Sequence, residues 1–466
     1  MNIEKSRREF LNFRESLYQS FTKRGDTAMD LVDALSSNLF AQSPVELSLS
    51  PFFERDHTSL YKMWDETEVK EKTLVELLWP YVPAPKQRSW WLFGVDVTPY
   101  RRPFASRLAD RSYVYEPSVI RNNKPVIPGH AYSTVGLLPE AESGLSRTWV
   151  IPLLTRRVQS TEDKELVGAE QINLLLSDPQ LPWHDQLCVE VKDSSYSKPV
   201  SLQATRGHAN LVTVTRLRKN RVLYRQHVNA DDKRPPHHPR WYGAKFNLKD
   251  EQTWHPPDEK VTYTEVTAQG KRYTLVVSVW YNMLMRGQRS PTPAAMHQHP
   301  FSLLQVLRYR EDAQLACSEP LWLIAVGEQR HRLSGQEIQQ AYAQRFDLEH
   351  FFRFGKQKLL LTSAQTPDTP HEQTWWQLVH LAYAQLWMAR SLVQLLPRPW
   401  ERSLPAVRSE LISPSLVQRD LTQLITQFGT PAQSPKPRGY SPGRPKGTQL
   451  PPKPRLKIVF KGVNTS

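Results

Sequence analysis

The chain is short of several residues that would widen its options. Its 466 residues include two cysteines, Cys188 and Cys317, too few for a disulfide framework or a four-cysteine zinc site. Eighteen glycines stand against 38 prolines, which implies rigid connections and at least one extended segment. Long apolar runs are missing as well. The start, MNIEKSRREF, has no apolar signal core behind it. The most apolar stretch, Trp375–Leu396, is interrupted by Gln377, His380, Gln385, Arg390 and Gln394, which fits a buried helix and not a membrane span. Acidic residues are in deficit, with 46 Asp and Glu against 61 Lys and Arg for a net +15. That surplus favours a polyanionic partner, and nucleic acid suits it better than a membrane. The expectation is a reduced, cytoplasmic chain without a membrane partner, built from two to four units.

What is present is ample for a core: 39% hydrophobic residues, with 14 Trp, 17 Tyr and 16 Phe. Residues 1–88 read as a helical N-terminal domain, assigned to DNA binding by its position alone. Its helices run from Ser6 to Phe21, from a cap at Asp26 or Thr27 through Ser36, and from His57 to Val69. The Pro-rich YVPAPKQR closes it. Residues 89–228 read as the first part of an α/β core, with strands in SWWLFGVDV, GHAYSTVGLL and QLCVEVKD and a helix over Glu162–Ser177. A β-rich insertion follows over 229–315. The core resumes over 316–400 with a long helix from Gly335 to about Leu361, capped by Ser334, and a Trp-rich helix over 374–396. A short helical segment fills 401–430. The tail, 431–466, has eight Lys or Arg, eight Pro and no Asp or Glu, so it reads as a disordered, basic, extended segment.

Two aspartates end apolar strand runs: Asp96 after Trp90–Val95, and Asp193 after Leu187–Lys192. Strand ends open onto the clefts of α/β sheets, yet on spacing alone either acid reads equally as a turn former. The helix QQAYAQRFDLEHFFRFGKQKL is more informative. At about 100° per residue, Tyr342, Arg345, Glu349, Arg353 and Lys356 share one face within roughly 80°. Arg345–Glu349 is an ordinary i,i+4 pair. A lone acid among cations with a tyrosine on the stripe is better explained by a carboxylate that holds a metal and cations that hold phosphates.

Tyr342, Arg345, Glu349 and Lys356 reproduce the spacing Y-x2-R-x3-E-x6-K, which resembles the signature of a group of bacterial insertion-sequence DDE transposases. VDVT around Asp96, VKDSSYS around Asp193 and GHAYS (129–133) resemble further elements of that family, in the same order. The resemblance implies a ribonuclease-H-like fold in which Asp96, Asp193 and Glu349 are the catalytic, metal-binding acids. They would hold two Mg²⁺ ions, with Mn²⁺ as a substitute, and Asp96 would bridge the pair. It also implies DNA partners, transposon terminal inverted repeats and target DNA, and a homodimer on DNA in a bacterial, nucleoid-associated setting. Arg345, Arg353 and Lys356 would clamp phosphates while Tyr342 supports the strand end. The separation of 156 positions from Asp193 to Glu349 leaves room for the insertion. In relatives with such an insertion a tryptophan there handles a flipped base; Trp254 is the first candidate, with Trp280, Trp241 and Trp322 beside it.

Further DNA contacts are expected from the basic run Arg216, Arg218, Lys219 and Arg221. Others come from Arg444 and Lys446 in RGYSPGRPKG, which resembles a minor-groove hook. His237 and His238, with His297 and His299, form a weak zinc candidate without a cysteine nearby. Three rivals stand beside the transposase reading. They are a transposase-derived DNA-binding protein without cleavage, a ribonuclease-H-like nuclease acting on other nucleic acids, and a carboxylate-pair glycosidase. The last would not need the Arg and Lys companions.

Overall fold

The computed structural model describes residues 3–116, 125–140, 149–227, 241–267, 270–289, 293–393, 412–437, 443, 445–449 and 453–460, with the backbone alone at 233–234 and 238–239. Four helices open the chain: α1 (Ile3–Ser20), α2 (Gly25–Ser36), α3 (His57–Glu66) and α4 (Thr73–Leu78). The second helix is not capped as expected. Arg24 sits before it in the left-handed region, at φ 52°, and the Asp26 carboxylate instead accepts from the Tyr18 hydroxyl at 2.7 Å and Gln433 N–H at 3.0 Å. The strands and helices of the core then follow as β1 (Trp91–Arg101), β2 (Ser112–Tyr115), β3 (Val126–Leu137), β4 (Ile151–Val158), α5 (Lys164–Leu176), β5 (Cys188–Lys192), α6 (Pro199–Gln203) and β6 (Leu211–Arg216). Asp163 starts α5 by accepting the Glu165 N–H, an ordinary N-cap.

The β-rich stretch comprises β7 (Val222–Gln226), the two-residue β8 (Lys233–Arg234) and β9 (His238–Pro239), β10 (Tyr242–Asn247), β11 (Glu259–Val266), β12 (Arg272–Leu284), β13 (Phe301–Tyr309) and β14 (Leu321–Val326). Helices α7 (Gly335–Gln344), α8 (Phe346–Lys358), α9 (Thr369–Ala389) and α10 (Pro414–Phe428) complete the order.

The sheet is mixed and large. Twelve strands join in the path β10-β7-β12-β13-β14-β6-β5-β1-β3-β2, with β11 on β12 and β4 on β3. Within it, β4, β3 and β1 pair antiparallel in succession, and β1, β5 and β6 pair parallel. A meander followed by parallel strands, with α5 crossing between β4 and β5, is consistent with a ribonuclease-H-like core. The later strands extend that same sheet: β14 pairs antiparallel with β6. They also carry a second apolar cluster around Phe246, Trp280, Phe301 and Trp322.

Helices α1 to α4 join the main core, because the buried faces of α1 and α2 pack on α9. Buried Arg14 fixes this union, donating to Asp33, to Gln385 of α9 at 2.9 Å and to the Gly429 carbonyl at 2.9 Å. Such a guanidinium, fully paired, selects one packing of three segments. Among the described residues no helix is long and apolar enough to cross a membrane.

Candidate active site

Asp96 lies within β1, not at its end. On one side β1 continues along β3, with Asp96 opposite Thr134. On the other, the parallel ladder with β5 stops at Gly94–Val191. Beyond that point β5 has ended, and the chain turns at Asp193. The first two acids therefore flank the place where a parallel ladder runs out.

The third element is brought in by a glycine. Strand side chains alternate, so positions 94 and 96 share a face. A Cβ at Gly94 would come within 2.6 Å of Leu348 Cδ1, so the missing side chain is what lets α8 lie on the face that carries Asp96. Val95 points the other way, towards Gly168 of α5. Glu349 follows Leu348 directly.

The expected long helix is broken. Arg345 separates α7 from α8, with Arg345 N–H donating to the Tyr342 carbonyl at 3.1 Å and Leu348 N–H to the Arg345 carbonyl at 3.1 Å. The single stripe drawn from a continuous helix is thus two stripes meeting at a tight turn. Arg345 is held at that joint, 9% exposed, with Nη2 donating to Glu349 Oε1 at 2.7 Å and Nη1 3.7 Å from Asp96 Oδ2. The structure ties the first and third acids together through this guanidinium. In this state Arg345 serves the carboxylates and is not free to clamp a phosphate. Tyr342 is buried, its ring under the Arg345 guanidinium at 5.7 Å, so the strand-end role expected of it would need that packing to open.

Asp193 is oriented by its own turn: Ser195 N–H and Ser195 Oγ both donate to Oδ1, at 2.8 and 2.7 Å. Thr215 Oγ1 of β6 donates to the Asp193 carbonyl at 2.6 Å. Burial pushes the Asp96 carboxyl up to about 6, against the pull of Arg345 and the Val97 N–H, and the negative charges of Asp193 and Glu349 push it further the same way. The three acids thus share one electrostatic field. Burial also lowers Lys356, while Glu116 and Asp96 favour its charge and Arg101 opposes it. That places Lys356 at the rim between Asp96 and the Arg101–Glu116 ion pair (2.7 Å). Arg353 is exposed on α8 and Arg216 at the end of β6; burial raises the Tyr342 hydroxyl above its ordinary value, and Arg345 and Arg216 are near enough to oppose that.

Could these residues hold a divalent cation? The donors are all hard oxygens, the kind Mg²⁺ prefers. The carboxylates carry a charge excess that one guanidinium only partly offsets. In that chemical sense the set fits. Its spacing does not yet form a coordination shell: among the described residues no three His, Cys, Asp or Glu side chains stand close enough together to hold a metal.

The other expected residues are dispersed. Lys219, in the β6–β7 turn, pairs with Glu319 of the β13–β14 connection, and Arg218 and Arg221 lie in the same β6–β7 turn. Trp254 is packed, with its ring parallel to Phe246 at 6.0 Å and its Nε1 donating to the Asn247 carbonyl at 2.8 Å. Trp280 and Trp322 are buried beside it. Trp241 is the most exposed of the four, stacked 3.7 Å from His297. Lys446 is exposed; Arg444, His237 and the side chain of His238 lie outside the described residues, and with them half of the zinc candidate.

GHAYS proves to be a buried anchor. His130 Nδ1 lies 2.6 Å from Glu372 Oε1, the Tyr132 hydroxyl donates to the same oxygen at 2.8 Å, and Arg102 Nε stands 3.5 Å from Oε2. Nothing around Glu372 in the sequence marks it, since its neighbours are those of any helix start. Gly94 was equally unforeseen, although a glycine two residues before a strand aspartate is a signal for close approach.

Among curated proteins, none matches the chain. The family described as DDE superfamily endonuclease matches residues 16–275, 260 of 466, a span that contains Asp96 and Asp193 and ends before Glu349. With more than half its length matched, the chain belongs to the DDE superfamily endonucleases.

Proposed function

We propose that the protein is a DNA transposase that cleaves phosphodiester bonds at transposon ends and joins the freed ends to target DNA. Asp96, Asp193 and Glu349 are its acids. The observation that carries this reading is the Arg345 guanidinium, which links Asp96 to Glu349 while Asp193 adds its charge to the same field. Family membership accounts for the nuclease class; the arrangement of the third acid on α8 supports the assignment of Glu349.

The three carboxylates would hold Mg²⁺. When bound, such ions neutralise charge at phosphorus and activate the attacking oxygen. The protein's own groups do the rest. Ser195 fixes the Asp193 carboxylate through its two bonds to Oδ1. Arg345 holds Asp96 and Glu349 in register before the substrate arrives. Lys356 beside Asp96, Arg216 beside Tyr342 and the exposed Arg353 on the helix of Glu349 would bind the phosphates of the strand being cut.

Asp96→Ala, Asp193→Ala and Glu349→Ala should each abolish Mg²⁺-dependent cleavage of end-containing duplexes and leave DNA affinity within a few-fold of the parent. Retained cleavage in any one of them removes that residue from the site. Cleavage of RNA–DNA hybrids in place of duplex ends would favour the nuclease reading over transposition.

A further inference from the structure

The basic C-terminal segment is partly built into the fold. Val459 bridges Ser112 in parallel register on the outer edge of β2. Its N–H donates to the Arg111 carbonyl at 2.7 Å, and the Leu456 N–H donates to the Ser106 carbonyl at 2.7 Å. The bond is returned: Arg111, 4% exposed, donates from Nη2 to the Leu456 carbonyl at 3.2 Å and from Nη1 to the Arg102 carbonyl at 3.1 Å. Phe460 lies 5.4 Å from Tyr113, ring to ring, and Lys453 reaches Asp368 at 3.2 Å. A buried guanidinium whose charge is shared among main-chain carbonyls is a costly arrangement unless all of them are present. Removing the tail would take one away. This is an anchored clip, held at both ends.

The clip carries Lys453, Arg455 and Lys457, all exposed. Among the described residues Arg455 and Lys457 make no ion pair, so their charge is available to a ligand. Their position relative to the acids follows from register. Arg101, Gly129, Ser112 and Val459 lie side by side across four adjacent strands, so Val459 is about 14 Å from Arg101 at about 4.8 Å per strand. Asp96 is five residues back along β1, about 17 Å at about 3.3 Å per residue. The clip therefore stands on the order of 22 Å from Asp96, about six or seven base-pair rises of about 3.4 Å. Lys356 and Arg101 occupy the interval.

We infer that residues 453–459 are a second, fixed DNA-binding site, which contacts the phosphates of the duplex about six or seven base pairs from the reacting bond. The inference rests on the DNA-cleavage reading above. It differs from a loose basic tether, which would attract DNA from anywhere and confer no position.

The test uses the full chain in EDTA with end-containing duplexes of graded length. Arg455→Ala/Lys457→Ala should reduce the slope of log affinity against log salt by about 1.8, at about 0.9 per phosphate contact. This loss should appear only with duplexes extending at least seven base pairs past the cleavage point. Val459→Pro removes the N–H bonded to Arg111 but keeps every charge; it should release the backbone so that trypsin cuts after Arg455 and Lys457 faster than in the parent, and abolish the length dependence. An unchanged slope in the double variant, or wild-type length dependence after Val459→Pro has released the segment, overturns the inference. If the parent protein binds no duplex at all, the DNA reading itself fails, a separate result.

Discussion

Asp96→Asn should make the protein more stable above pH 6 while ending its cleavage chemistry. Burial raises the Asp96 carboxyl from 3.8 to about 6, even with Arg345 beside it. At about 1.4 kcal/mol per pKa unit, keeping this group ionised in the fold costs about 3 kcal/mol. The sign follows from proton linkage. A carboxyl whose pKa is higher folded than unfolded contributes stability that is fully present below its unfolded pKa and is lost as pH rises through its folded pKa. Near pH 3.8 the protonated aspartic acid and asparagine are nearly alike, so parent and variant should unfold together. Between that pH and about 6 the parent should fall behind, and by pH 8 the gap should reach about 3 kcal/mol, the full linkage. Calorimetric melting in EDTA at pH 4, 6 and 8 measures this directly. Chelation matters because a bound cation would neutralise the same charge. Added Mg²⁺ at about 100 times its dissociation constant should return about 2.7 kcal/mol to the parent and little to the variant. A variant no more stable than the parent at pH 8, or a gap that does not close towards pH 4, would refute the reasoning.

Three further substitutions probe the same architecture. Gly94→Ala puts a Cβ 2.6 Å from Leu348, an overpacking worth about 1–3 kcal/mol; it should lower cleavage at least about ten-fold by displacing α8, and adding Leu348→Ala should restore part of the rate, whereas a fully active single variant would show that this contact does not set Glu349. Arg345→Lys keeps the charge but loses the planar fork that reaches two carboxylates; cleavage should fall about 10–100-fold with DNA affinity nearly unchanged, and an equal fall in affinity would mean that Arg345 reads phosphate. Trp280→Ala should cost about 3–5 kcal/mol in thermal unfolding, and Trp254→Ala less because its ring is only half-buried. If Trp254→Ala leaves stability intact but impairs processing of DNA ends, that indole leaves its pack to serve the substrate.

Strand and helix order was legible because it rests on periodicity. The runs around Trp91–Val95 and Cys188–Lys192 were apolar enough to be buried, and Ser334 with Glu337 forms the capping box that starts α7. What failed to show was anything decided by a distant partner. Lys192 and Glu190 look like the solvated face of β5, yet they form a 2.8 Å ion pair with both side chains 1% exposed or less, because Tyr196 and Thr205 of the segment after β5 lie against them. Asp26 looks like a cap and is instead claimed by Tyr18 and Gln433. The tail looks wholly unstructured by composition, since eight prolines exclude helix and strand runs; the bonds that hold residues 456–459 are main-chain bonds to the β1–β2 connection, which composition cannot encode.

The break at Arg345 shows why a correct stripe of residues can still give an incomplete picture of a site. A continuous helix advances about 100° per residue, whereas a tightened three-residue turn advances about 120°. The two i−3 bonds that meet at Arg345 tighten the turn there, so the residues after it are rotated relative to Tyr342 from their places on a regular helix. That rotation lets Leu348 face down into the space left by Gly94 and leaves Glu349 43% exposed at the edge, turned towards Arg345. Had the helix stayed regular, Tyr342 and Glu349 would share a surface stripe with Arg345 between them in solvent. With the turn in place, Tyr342 is buried and Arg345 is enclosed. The acid then keeps the exposure that a ligand shared with DNA would require. The spacing Y-x2-R-x3-E thus encodes a joint as much as a face: the residue at the joint is the one whose charge balances both acids.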